Sequence, residues 1–453
     1  MIPFRTVSPA HRYPETGVFY RALDREFPMA VRGEGCWLID DKGRRYLDAC
    51  GGAFVANLGH GVPELADAVA AQMRRVAYVN GTAFANPAAE ELAQELRSLN
   101  PEGLDFAYFL SSGSEAVEAA LKLARQHWVE SGRPGKHKII ALEPGYHGNT
   151  LLALSASARP HYKKTYGPWL VPVTMIPAPY SYRRAPDSPA MTAQALEDAI
   201  LREGADAVAA FIAEPVGGSS TGACVPPGDY HRRVREICDR HQVLFIADEV
   251  LCGSGRTGRW TALERFGVAP DIMTLGKGLS GGCVPLSAVV ASRKILDPIA
   301  KGSGAFKHAQ TFSHSPVICA AGLAAVRLIK ARKLVDRCAE MGALLHRKLR
   351  ALADLPAVGD VRGLGLLAGV EFVADKASKA PFPRARRFAE TFTAAALDAG
   401  LLVWPNVGQA DGENGDLVML APPFIVTEAE IDELVARFKT ALARTLEVRH
   451  GRP

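Results

Sequence analysis

From about residue 104 to residue 275 the chain repeats one unit, a short β-branched or aromatic run followed by a stretch with helical periodicity. The runs are DFAYFL, KIIAL, AVAAFIAE, VLFIADEV and DIMTLG, and the intervening helical segments include EAVEAALKLARQHWV and YHRRVREICDRH. Few architectures accommodate this pattern. Strand runs that are apolar throughout need cover on both faces, and parallel neighbours need a crossover that a helix supplies. The expected fold is therefore α/β, with a mainly parallel sheet between layers of helices. In such sheets ligands bind beyond the carboxyl ends of the strands, so the residues just after each run are the first functional candidates.

The most unusual of these is Lys277, which follows IMTL in the stretch APDIMTLGKGLSGGCVPLSAVVAS, residues 269 to 292. An ammonium at the end of an apolar strand is costly unless paired or used. Gly276, Gly278, Gly281 and Gly282 surround it and permit close approach, which suggests a bulky planar partner for the amine. Gly276, Gly278 and Gly281 also spell GxGxxG, yet a dinucleotide site needs a helix next and an acid about 20 residues on. Pro285 and a Val-rich run follow instead, and position 301 is Lys. That reading is rejected, and no GxxxxGK[ST] loop occurs.

Composition narrows the function classes. The 453 residues are 48% hydrophobic and 22% charged with a net charge of +5, as in an ordinary globular enzyme with one large and one smaller core. The densest basic cluster, PRARR at 383 to 387, is short and without interleaved aromatics, which argues against nucleic acid. Eight cysteines form no CxxC pair, and Cys238, Cys319 and Cys338 lie among apolar neighbours, as reduced thiols do in the cytoplasm. Twelve histidines show no metal-ligand spacing. The N-terminal segment lacks an apolar signal core, and no apolar run reaches membrane-spanning length.

Outside the repeat, residues 1 to 30 read as an irregular arm ending in the amphipathic piece VFYRALDREF, followed by a hairpin over GCWLIDDKGRRYLDA. Helices are expected over ELADAVAAQMRRV and AAEELAQELRSL. After Pro316 come long amphipathic helices, a strand pair around VRGLGLLAGVEF and LLVWP, and a last helix over EAEIDELVARFKTALARTL, which together read as a second domain.

Three further strand ends carry groups that could serve Lys277. VLFIADEV ends in Asp248, whose acid could hold a ring nitrogen's proton, although a lone Asp is more often a cap or salt-bridge partner. SSGSEA opens a helix, and the N–H groups there with Ser112, Gly113 and Ser114 make a phosphate cradle; an ordinary N-cap has the same sequence. Tyr146 of EPGYHGN could stack on a flat ring or pack at the surface, and His147 reads as structural. Pyridoxal phosphate requires this set, namely a phosphate site, a ring platform, an acid for the pyridine nitrogen and an amine for the Schiff base.

With those residues in place, the chain resembles the class III aminotransferases of the fold-type I pyridoxal-phosphate enzymes. The resemblance runs in family order through GHGVPELADAV, SSGSEAVEAALKLAR, YHG, EPV, DEV with GRTG, TLGKGLSGG, QTFSHSP, VRGLGLLAGVE and APPFIVTEAEID. It implies a large cofactor-binding domain over 61–315 and a smaller α+β domain from both termini, 1–60 and 316–453. It also implies Lys277 as the amine that carries the cofactor and shuttles a proton, and Asp248 at the pyridine nitrogen. Ser112, Gly113 and Ser114 would meet the phosphate, with Tyr146 and Val250 on the two ring faces and Glu214 nearby. Thr311 would reach the phosphate of a neighbouring subunit in an obligate homodimer. The implied activity is ping-pong transfer of an amino group to a keto acid such as pyruvate, in the cytoplasm. Other pyridoxal-phosphate reactions, such as those of aminomutases, racemases and decarboxylases, share the scaffold.

The chain departs from the family where substrate is read. Ornithine-type members carry an Arg two residues before the Ala of the C-terminal APP, where this chain has Met419, and residues 401 to 420 contain no Arg or Lys. Donors without an α-carboxylate, primary amines or ω-amino acids, are therefore expected, in a pocket with Phe19, Tyr20, Phe54, Phe84 and Trp404 as candidate walls. The alternative is an arginine distant in sequence that folds into the pocket, with Arg159 and Arg256 as candidates.

Overall fold

A computed structural model describes residues 12–447. Seven strands lie side by side in the order Phe106–Leu110, Ser287–Ala291, Ile272–Leu275, Leu244–Asp248, Val208–Ala213, Lys138–Glu143 and Thr174–Pro177. All run parallel except Ser287–Ala291, which is antiparallel to both neighbours. The exception has a simple cause: the link from 276 to 286 is too short for a helical crossover, so the chain can only turn back. Successive residues of Leu244–Asp248 serve opposite layers, Leu244 and Ile246 packing with the helix Gly113–Glu130 and Phe245 and Ala247 with the helices Gln194–Glu203 and Tyr230–Arg240. That two-sided burial is why the run is apolar throughout.

The hairpin Trp37–Asp40/Arg45–Asp48 forms as its alternation suggests, and Leu401–Leu402 adds to it in parallel, so distant parts of the chain share one sheet. A third sheet orders Val358–Leu364, Leu367–Phe372, Asp416–Leu420 and Trp404–Val407, all antiparallel. The amphipathic stretch from Pro316 divides into the helices Pro316–Ala331 and Leu334–Arg350, with Lys333 at a φ of 49° between them. VFYRALDREF takes no regular structure.

Candidate active site

Asp248 is the last residue of its strand and pairs in register with Thr274 of the next, two positions before Gly276 and three before Lys277. The sheet therefore delivers the acid and the amine to the same edge. Asp248 is buried, and its carboxylate accepts hydrogen bonds from the Thr274 hydroxyl at 3.0 Å, the Val250 amide at 3.2 Å and His147 Nδ1 at 2.7 Å. With Nδ1 donating, His147 Nε2 is left buried and without a partner. His147 is thus more than the structural residue the sequence suggested: it fixes the carboxylate. The pairing joins positions 101 apart, and only adjacency to Tyr146 in the YHG loop hinted at it.

Lys277 takes a φ of 44° at the start of a 3-10 turn, which aims its side chain into a cavity of about 580 Å³. Burial lowers its pKa, opposed by the negative charges of Asp248 and Glu214, so the neutral amine is favoured relative to a lysine in water. Asp248, Tyr146, Glu214, Val250, Gly113 and Ser114 line the same cavity. Glu214 accepts from the amides of Tyr146 at 3.3 Å and Gly218 at 2.9 Å, and desolvation raises its pKa to about 7.

At the start of Gly113–Glu130, Ser112 caps the helix by accepting from the Glu115 amide at 3.3 Å. The amides of Gly113 and Ser114 have no intrahelical acceptor and remain available to an anion. A Cβ on Gly113 would lie 2.8 Å from Val250 Cγ1, so glycine here lets Val250 pack against the start of the helix. Gly148, at a φ of 137°, lets the YHG loop close on Ser114, where a Cβ would meet Oγ at 2.5 Å.

The glycines after Lys277 serve a different purpose from the one their sequence suggested. Gly278 packs against Asn57, Gly281 against Leu58 and Gly282 against Val55, so they admit another segment of the chain and not a planar ligand. Of the aromatic candidates, Phe54 and Trp404 line the cavity with ring centroids 5.4 Å apart, whereas Phe19, Tyr20 and Phe84 are exposed outside it. Ser112 and Thr311 are exposed and are not among the lining residues.

Met419 is fully buried in the strand Asp416–Leu420. Of the two distant arginines, Arg256 is buried elsewhere, donating to the carbonyls of Leu366 at 3.1 Å and Pro422 at 2.7 Å. Arg159 does line the cavity.

These groups form a strand-end acid held by three donors, a lysine with a depressed pKa, an aromatic wall and free helix-start amides around one volume suited to a cofactor with a small substrate. They fit pyridoxal phosphate. The family model for class-III aminotransferases matches residues 20–442. An uncharacterized aminotransferase of Schizosaccharomyces pombe is 40% identical over 437 residues, covering 95% of each chain. A putrescine–pyruvate aminotransferase of Pseudomonas aeruginosa is 33% identical over 98% of this chain and 96% of its own. Among solved structures, a thermostable (S)-enantioselective omega-transaminase from Thermomicrobium roseum superposes with a TM-score of 0.88 at 37% identity, covering 96% of each chain. Sequence, fold and site agree, and this chain belongs to the class-III aminotransferases, enzymes that depend on pyridoxal phosphate.

Proposed function

We propose that the enzyme moves an amino group from a primary amine or ω-amino acid to a keto acid such as pyruvate, in two half-reactions at one site. The observation that carries this is the shared cavity of Lys277 and Asp248, with Met419 buried where ornithine-type relatives place an arginine. When bound, pyridoxal phosphate supplies an electrophilic carbon and a ring that takes up the electron pair left at the substrate's Cα. The chain supplies the rest. Lys277 removes the Cα proton and returns it on the cofactor side, a task for an amine whose pKa burial has lowered. Asp248 would face the ring nitrogen, and His147, Thr274 and Val250 hold the carboxylate in place for it. Tyr146 and Val250 would confine the ring, and the Gly113 and Ser114 amides would take the phosphate. Glu214 completes the cofactor's surroundings.

In this reading 61–315 is the cofactor-binding domain, with 1–60 and 316–453 forming the smaller one. The enzyme works as a homodimer in the cytoplasm, Thr311 meeting the phosphate of the neighbouring subunit. Two features support the dimer: Thr311 is exposed, and beside it Phe312 and Tyr78 form an exposed aromatic pair with centroids 5.9 Å apart. The test is a panel of amine donors with pyruvate as common acceptor, followed by alanine formation. Alanine from a primary amine supports the proposal; alanine from none of the donors refutes it.

A further inference from the structure

A keto acid brings a carboxylate into the cavity, and the carboxylate must be paired or its desolvation would oppose binding. The guanidiniums that line the cavity are those of Arg159 and Arg21. Arg159 is the better built. Its Nη1 donates to the Asn406 side chain and its Nη2 to the Ser219 hydroxyl at 2.6 Å, and it stacks over the Tyr146 ring at 5.2 Å. Asn406, Ser219 and Tyr146 all line the same cavity, so the guanidinium is braced from three sides facing it. Arg21 is exposed and held through Tyr162 alone.

The second observation is what Arg159 lacks. Among the described residues, the fully buried Arg256 spends its Nη donors on the Leu366 and Pro422 carbonyls and the Asn57 side chain, while the partly buried guanidiniums of Arg362, Arg183 and Arg235 each pair with at least one carboxylate. Arg159 pairs with none; two of its five N–H donors are used, and its Nε is buried without a partner. Glu214 is close enough to act on it electrostatically without bonding to it. A preformed, charged fork with spare donors and no acid of its own is a receptor for an anion.

We propose that Arg159, positioned by Asn406 and Ser219, is the substrate-carboxylate anchor of this enzyme, selecting keto-acid acceptors and the distal carboxylate of ω-amino acid donors. This rests on the aminotransferase reading of the site. One anchor in a cavity that also has an apolar wall of Phe54 and Trp404 explains how an acceptor needs a carboxylate while a donor can lack one.

The test compares the wild-type holoenzyme with Arg159→Met, Arg159→Lys and Arg21→Met. Propionate, which has pyruvate's carboxylate without its reactive carbonyl, is titrated into each by calorimetry. Acceptor kinetics then compare pyruvate with propanal, and β-alanine with propylamine as donor separates the two sources of carboxylate. Loss of two charge-assisted hydrogen bonds predicts a fall of about 10²-fold or more in the pyruvate-to-propanal ratio of kcat/KM for Arg159→Met. Propionate binding should be lost with it, and Arg159→Lys should recover part of both. A matching fall for β-alanine against propylamine assigns the donor carboxylate to the same anchor, and an unchanged donor ratio removes the donor part of the proposal. Equal losses on pyruvate and propanal with cofactor retained, or discrimination lost through Arg21→Met instead, would overturn it. If the wild type transfers no amino group from any donor, the aminotransferase reading fails separately, and propionate binding still decides whether Arg159 holds carboxylates.

Discussion

Replacing Asp248 by Asn changes one atom and one charge at the point where the site is most tightly specified. Three donors converge on the carboxylate, from His147 at 2.7 Å, Thr274 at 3.0 Å and Val250 at 3.2 Å. A carboxylate accepts all three and retains lone pairs for the cavity, whereas an amide must turn its NH₂ toward His147 or toward Thr274 and Val250. Either orientation forfeits a donor's partner, and neither supplies negative charge to a ring proton. Removing one preorganised electrostatic partner of this kind slows the chemical step by about 10²- to 10³-fold, roughly 2.7 to 4 kcal/mol. The phosphate cradle at Gly113 and Ser114 is untouched, so the variant should still bind the cofactor. Stopped-flow single turnovers with a donor deuterated at Cα read this directly: the proton-removal phase should slow by that factor and keep its isotope effect. A variant that binds cofactor more weakly yet removes the proton at the wild-type rate would make Asp248 a structural acid and refute the reasoning.

Three other outcomes follow from the same geometry. Lys277→Ala should remove the visible absorption of the lysine-bound cofactor and abolish transfer while the protein stays folded, since a nucleophile is lost and not core packing; near wild-type turnover would end the assignment. Glu214, with its pKa raised to about 7 from an ordinary 4.5, binds more protons folded than unfolded, so its contribution to stability is present below about pH 4.5 and lost as pH rises through about 7. The melting temperature of the cofactor-free protein relative to Glu214→Gln should therefore fall across that window; Glu249, raised in the same way, is common to both and cancels. With a buried Met419, kcat/KM with pyruvate should be higher for a primary amine or ω-amino acid than for glutamate or ornithine; a tenfold advantage for either α-amino acid would refute that donor preference.

The centre of the sheet was legible because Val208–Ala213 and Leu244–Asp248 are buried on both faces and read as apolar runs, whereas the edge strand Thr174–Pro177, only partly buried, left no such trace. A polar residue at the end of such a run stands out, which is how Asp248 and Lys277 are visible in VLFIADEV and IMTLGK. Long-range pairing has no such trace. His147 looks like any loop histidine until the fold brings it to Asp248, and Arg159 could be named as a distant arginine but not distinguished from Arg256, which the fold sends to backbone carbonyls instead. Glycines next to Lys277 announce close approach without saying of what, and the answer is the segment from Val55 to Leu58. Exposed aromatics mislead for a similar reason: Phe19 and Phe84 have the chemistry of pocket walls, but nothing in their neighbours records that the chain leaves them at the surface.

The central claim is that one cavity runs two separable half-reactions through Lys277. It is tested most directly by mixing the holoenzyme with an amine donor in the absence of any keto acid and recording the cofactor's spectrum. The account predicts stoichiometric conversion to the amino form of the cofactor with release of one carbonyl product per site, reversed on adding pyruvate as alanine forms. A cofactor that returns to its starting spectrum with the donor racemised, rearranged or decarboxylated, and no carbonyl product released, would contradict it.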